Sequence, residues 1–161
     1  MSTSNEFYDR LAQFYDIMND WPSRLAYEKA FLTHHLDAHG VRTVLDAACG
    51  TGQHTLALKE WGYLPTGVDA SPQMIQRARR NAASRGIDAP FHTARFDELP
   101  HVFPSPFDAV ICLGNSLPHV TSDNQLDKSL SGMADVLRPG GVLVLHNLNY
   151  DRRWVERPRF F

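Results

Sequence analysis

Val41-Arg42-Thr43-Val44-Leu45-Asp46-Ala47-Ala48-Cys49-Gly50-Thr51-Gly52 is the stretch on which the reading of this chain turns. Its first half is short, apolar and β-branched, which predicts a strand from Val41 to Asp46. Its second half is a glycine-rich turn, Gly50-Thr51-Gly52, and the residues from His54 to Trp61 read as a helix that Gly62 stops. A strand that breaks into a Gly-x-Gly turn and re-emerges as a helix brings backbone N–H groups to a point where a ligand can approach closely.

Downstream the same alternation repeats. Leu64 to Val68 reads as a second strand that ends at Asp69. Ser71 can cap the next helix and Pro72 presets its first φ. Met74, Ile75 and Ala78 give that helix an inner face, and Gly86 ends it. Phe91 to Ala94 is a third strand and Ala109 to Leu113 a fourth. Asp123 to Leu137 is a helix, with Leu126, Leu130, Met133, Ala134 and Leu137 on one face. Arg138-Pro139-Gly140-Gly141 reads as a tight turn, Val142 to His146 as a fifth strand, and residues 151–161 as an irregular tail. Strand and helix alternating at this spacing predict an α/β fold with right-handed crossovers and a parallel sheet. Near-continuous apolar strands such as AVICL and GVLVL suit a sheet covered on both faces.

Upstream, the first forty residues read as helical and aromatic. Phe7-Tyr8-Asp9 recurs seven residues on as Phe14-Tyr15-Asp16, which would place both copies on one helix face. Trp21-Pro22 interrupts the pattern, Ser23 to Leu36 continues as a helix, and Gly40 stops it. The expected organisation of the 161 residues is one domain: a helical segment over 1–40, a core over 41–150 and the tail.

Composition narrows the functional classes. Hydrophobic residues make up 43% and charged residues 21% of the chain, a globular balance. With 16 Lys and Arg against 18 Asp and Glu, the net charge of −2 argues against a protein that grips nucleic acid. No apolar run is long enough to span a membrane, and Met1 to Arg10 does not read as a secretory leader. Two cysteines, Cys49 and Cys112, are too few for a disulfide scaffold, so a cytoplasmic location is expected.

Ligands of open α/β sheets bind at the carboxyl ends of the strands. Two ligand classes use a turn such as Gly50-Thr51-Gly52. A dinucleotide site would continue to a third glycine, where this chain has Thr55. Asp46, inside the strand end, fits the other class, a site for S-adenosylmethionine. The plainer reading of the turn is a tight connection. Asp69, at the end of the second strand, can accept hydrogen bonds from both hydroxyls of a ribose. Its plainer reading is a carboxylate at a helix N-terminus.

VLDAACGTG, GVDASPQM, FDAVICLGNSLPHV and VLRPGG, in that order, resemble class I S-adenosylmethionine-dependent methyltransferases. ICLGNSLPH and NLNYD resemble the glycine N-methyltransferase-like branch. The resemblance runs from about Tyr8 to Asp151. It implies a Rossmann-like, doubly wound parallel sheet in the order 3-2-1-4-5, with S-adenosyl-L-methionine as cofactor, a small-molecule amine as acceptor, and no metal. On this resemblance Asp46, Ala48, Gly50 and Gly52 wrap the methionine part of the cofactor. Asp69 holds the ribose, Met74 packs near the adenine, and Arg24 meets the cofactor carboxylate. Leu113, Asn115 and His119 belong to the loop that lines the methyl-transfer site. Asn115 is a candidate for holding the acceptor and His119 for taking its proton, while Tyr15 is a candidate lid residue.

The chain departs from the branch in three places. Arg95 stands where many relatives place an acidic residue near the adenine, leaving backbone at Arg95 and Phe96 for that contact. Leu148 stands where glycine N-methyltransferases carry the arginine that binds the glycine carboxylate, so another acceptor is implied. The antiparallel strands that usually follow the fifth strand are expected to be missing. The fifth strand would then present an open edge that invites self-association. A cofactor-binding module or fragment without full activity, and a dinucleotide oxidoreductase disfavoured by Thr55, are the alternatives. His35 and His39 lie i, i+4 but lack a third metal ligand. His54, just after the glycine turn, reads as structural.

Overall fold

The computed structural model describes residues 9–12 and 14–157. Its centre is a sheet of five parallel strands, β1 (Thr43–Asp46), β2 (Leu64–Asp69), β3 (Phe91–Thr93), β4 (Phe107–Cys112) and β5 (Leu137–Leu145). Their spatial order is β3-β2-β1-β4-β5. The order reverses between β1 and β4, which opens a crevice at the carboxyl ends of the strands there. β1 is the keel: Asp46 lies opposite Gly67 of β2 on one side and Ile111 of β4 on the other.

The strands are apolar on both faces because both are covered. Val44, Ala109 and Ile111 pack with Leu32 and Leu36 of α1 (Trp21–Ala38) and with Leu58 of α2 (Gln53–Glu60). The alternate residues Leu45, Val110 and Cys112 pack on the other face with Leu99 of α4 (Leu99–Val102) and Met133 of α5 (Asp123–Asp135). A third cluster joins Leu56 of α2 and Phe91 of β3 to Ile75, Ala78 and Ala82 of α3 (Pro72–Arg85). The period-2 alternation of the strands and the helix spacing therefore agree on one doubly wound architecture, as expected.

Local chemistry sets the boundaries. α3 starts where Ser71 accepts a hydrogen bond from the Met74 backbone N–H and ends at Gly86 in the left-handed region. α1 starts at Trp21, two residues ahead of Ser23, because Asp20 caps it ahead of Pro22. The turn expected at Arg138–Gly141 survives as an irregularity within β5. Leu137 pairs with Phe107 and Val142 with Ala109, so four residues bulge out between them, with Gly140 at φ +75°. Asp108 staples this end of the sheet. It accepts hydrogen bonds from the backbone of Arg42 and Thr43 and from Arg138 Nε at 2.6 Å. Those backbone donors hold its carboxyl far below the usual range.

Two expectations are corrected. Residues 14–18 form hydrogen-bonded turns, so Phe14-Tyr15-Asp16 is not part of a helix running on from Asp9. Phe7 and Tyr8 of the first copy lie outside the described residues. The tail, expected to be irregular, holds a helix, α6 (Tyr150–Glu156), capped by Asn149, which accepts from the Arg152 N–H at 2.9 Å. α6 buries none of its residues, and Trp154 is 75% exposed. A helix with no buried face writes no apolar period into the sequence. Residues 158–161 of the tail lie outside the described residues. No described helix is long and apolar enough to cross a membrane.

Candidate active site

At the carboxyl ends of the strands lies a cleft of about 560 Å³. Ala48 and Gly50 after β1, Asp69 at the end of β2, Met74 of α3, Arg95 and Phe96 after β3, and Gly114 and His119 after β4 all line it. Asp9 and Tyr15 of the N-terminal segment also face it.

The two glycines of the turn do different jobs. Gly50 has φ +53°, and a Cβ there would meet only Tyr15, 3.8 Å away, on the cleft side. Gly52, at φ +82°, caps α2. A Cβ on Gly52 would come within 2.9 Å of Ala78 and Phe91, so its bareness lets α3 and β3 pack behind the turn. Gly52 does not line the cleft.

Asp69 is held by two backbone donors. The Gly50 N–H reaches Oδ2 at 2.8 Å and the Ser71 N–H reaches Oδ1 at 2.9 Å. Burial raises its pKa, and those two donors oppose the rise. Its two oxygens are thereby splayed by the turn after β1 and the start of α3, with the cleft beside them.

Asp46 sits beneath the turn, 1% exposed, and accepts from Thr55 Oγ1 at 2.8 Å. Thr55 thus fills the position of a third glycine with a hydroxyl bonded to the strand end. Complete burial pushes the Asp46 carboxyl up to about 6, against the opposing pull of His54 and Thr55. Because the folded value lies above the unfolded one, Asp46 favours folding below about pH 4. That contribution is lost as pH rises through about 6. An Asp46→Asn variant is expected to gain stability relative to the parent as pH rises across this window. A pH series of urea melts checks it, and a constant difference from pH 4 to 7 would contradict it.

The N-terminal segment is pinned over the cleft by two carboxylates that the sequence reading did not single out. Asp16 accepts from Thr51 Oγ1 (2.6 Å), Gln53 Nε2 (2.9 Å), Arg77 Nε (2.8 Å) and Asn81 Nδ2 (3.0 Å). These donors outweigh the cost of burial and hold its pKa down. Asp9 accepts from Ser71 Oγ at 2.5 Å. The repeated Phe-Tyr-Asp was the available signal: Asp16 ties the segment to the start of α2 and the middle of α3, and Asp9 ties it to the cap of α3.

Arg24, on α1, donates from Nε to Glu28 at 3.0 Å and stacks over Trp21. Its Nη2 is buried without a hydrogen-bond partner among the described residues. That nitrogen lies 3.6 Å from where a Cβ on Gly114, a cleft residue, would be. Leu113 is 7% exposed and packs in the apolar cluster under α1, away from the cleft lining. Asn115, at φ +70°, commits both ends of its amide to the segment after β5. Its Nδ2 donates to Tyr150 Oη at 2.5 Å and its Oδ1 accepts from the Leu148 N–H at 3.1 Å. The cleft therefore gathers Tyr15, Ala48, Gly50, Asp69, Met74 and His119. Asp46, Gly52 and Leu113 stand behind it, while Arg24 and Asn115 flank Gly114.

The sheet order and a cleft at the switch point, with an acidic residue ending β2 and a glycine turn ending β1, define an open α/β cofactor-binding domain. The chain belongs to the methyltransferase domain family, whose model matches residues 44–141. It is 39% identical over 149 residues to a glycine/sarcosine N-methyltransferase of Parasynechococcus marenigrum, covering 91% of this chain and 52% of that protein. It is 40% identical over 154 residues to the glycine N-methyltransferase of Rattus norvegicus, covering 88% of this chain and 52% of that one. The chain thus spans about half the length of these relatives. Among solved structures, the PH0226 protein from Pyrococcus horikoshii OT3 superposes with a TM-score of 0.76 at 27% identity, covering 86% of this chain and 63% of that chain.

Proposed function

We propose that this chain binds S-adenosyl-L-methionine and transfers its methyl group to a small-molecule amine. The observation that carries the reading is Asp69, held by Gly50 and Ser71 at the end of β2 with the cleft beside it. The donor set fits the cofactor. Arg24 has a buried guanidinium nitrogen with no partner among the described residues, which a carboxylate would satisfy, and Gly50 leaves the turn bare on the cleft side. Asp69 would hold the ribose, Ala48 and Gly50 would lie along the methionine part, and Met74 would pack by the adenine. Arg95 turns its guanidinium to Asp97 at 3.1 Å and its backbone N–H to Glu98 Oε2 at 2.8 Å, which leaves backbone at Phe96 for the adenine edge.

When bound, the cofactor supplies an activated methyl group on a sulfonium that already carries its leaving group. The residues of the chain then have to position and desolvate. Tyr15 covers the turn from the N-terminal segment, which Asp9 and Asp16 close as a lid. His119, at the far side of the cleft, would hydrogen-bond the acceptor amine or take its proton. Asn115, bonded to Leu148 and Tyr150, would shape the acceptor end through its backbone turn.

The acceptor is an amine other than glycine on this reading, because Leu148 offers no charge to a carboxylate. An acceptor screen with the purified chain is expected to rank glycine below amines that lack a carboxylate. Glycine emerging as the best substrate would contradict this. A second reading, a cofactor-binding part without turnover of its own, is favoured by the chain's span of about half its relatives. Cofactor binding with no transfer to any acceptor would select it. A cytoplasmic location belongs to the same proposal, supported by the free, buried Cys49 and Cys112.

β5 pairs with β4 alone among the described strands. Its other edge offers unpaired N–H and C=O groups to another strand, so the isolated chain is expected to self-associate. Light scattering at rising concentration should show mass growing beyond the monomer. A monomer at every concentration, with Val142 to Leu145 protected from hydrogen exchange, would contradict it.

A further inference from the structure

The glycine turn is backed by a chain of side chains that the reading above does not use. His54, in the first turn of α2, is 6% exposed, and its Nε2 lies 2.6 Å from Oε2 of Glu28. The other oxygen of Glu28 accepts from Arg24 Nε at 3.0 Å. Trp21 packs between the two ends of the chain: Arg24 stacks over its ring at 5.2 Å and His54 meets it edge-on at 5.5 Å. Burial would raise the Glu28 carboxyl, but the bonds to His54 and Arg24 hold it below its ordinary range.

This arrangement matters for how Arg24 is used. An arginine beside a carboxylate tends to form a two-pronged pair, with Nε and an Nη nitrogen each on one oxygen. Here His54 occupies Oε2, so Glu28 takes Arg24 through one oxygen only. Nη2 of Arg24, beside Gly114, is left without a partner among the described residues. We propose that His54 and Glu28 are positioning residues. Glu28 orients Arg24, and His54 keeps Glu28 from closing a two-pronged pair that would draw Nη2 away from Gly114 and the ligand. This rests on the reading that Arg24 receives the cofactor carboxylate.

The test compares two ligands that differ in that carboxylate, S-adenosylhomocysteine and 5′-methylthioadenosine, the second lacking the amino-acid part. His54→Leu is expected to weaken S-adenosylhomocysteine at least tenfold and leave 5′-methylthioadenosine within about twofold, and His54→Gln, which keeps a donor, to restore most of the loss. Should His54→Leu fail to fold, Glu28→Ala carries the same expectation, since Arg24 then loses its anchor. Arg24→Met separates the two ideas. If it spares 5′-methylthioadenosine while weakening S-adenosylhomocysteine, the carboxylate reading stands. A His54 or Glu28 variant that then weakens both ligands alike, or neither, overturns the positioning role. If Arg24→Met shows no such selectivity, the carboxylate reading falls and takes this inference with it.

Discussion

Replacing Asp69 by alanine is expected to weaken binding of S-adenosylmethionine by about 1.5–3 kcal/mol, roughly 10- to 150-fold in Kd, the range for hydrogen bonds to a charged group. The loss should exceed that of an exposed carboxylate because Asp69 is oriented in advance by the N–H groups of Gly50 and Ser71. It pays little ordering entropy when a ribose arrives. An Asp69→Asn variant keeps the shape and one acceptor, so it should fall between alanine and the parent. Equilibrium dialysis with the cofactor measures both, and equal affinity for the parent and Asp69→Ala would sink the ribose assignment.

Gly132→Ala is expected to destabilise the fold by about 1–3 kcal/mol. Helix propensity alone argues the other way, since alanine in a helix interior is favoured over glycine by about 1 kcal/mol. The deciding fact is contact. A Cβ at Gly132 of α5 would overlap the carbonyl of Phe96, with more backbone of Asp97 at 3.3 Å. Backbone cannot swing aside as a flexible side chain can, so overlap outweighs propensity. Phe96 and Asp97 line the cleft, and the same substitution should therefore loosen cofactor binding. Urea melts read the first effect. A variant more stable than the parent would mean that α5 does not sit this close to the residues after β3.

Much of the fold was legible because it is written in local patterns. Val44-Leu45 and Ala109-Val110-Ile111 alternate between two covered faces, and Ser71-Pro72 and Gly86 punctuate α3. The sheet order came from the resemblance, and the strand pairing agrees with it. At the site, Asp69 and Gly50 could be read as cleft residues because the first ends a strand and the second lies in the glycine turn after one. The helix α6 was missed because its residues stay in solvent and leave no period. Asp16 was missed as an anchor for a different reason: its partners Thr51 and Arg77 lie 35 and 61 residues away. No local spacing encodes a contact of that kind. Leu113 is a different case: it comes directly after β4, yet its side chain packs into the core. The pairing of His54 with Glu28 likewise depends on how α1 crosses α2, which the apolar pattern of neither helix specifies.

The cleft is proposed to take S-adenosylmethionine and to refuse a dinucleotide. Isothermal titration calorimetry of the purified chain with S-adenosylmethionine, S-adenosylhomocysteine and NAD tests it most directly. Saturable binding of the first two and no heat from NAD is the expected result. Binding of NAD, or no binding of either sulfur nucleoside, would contradict it.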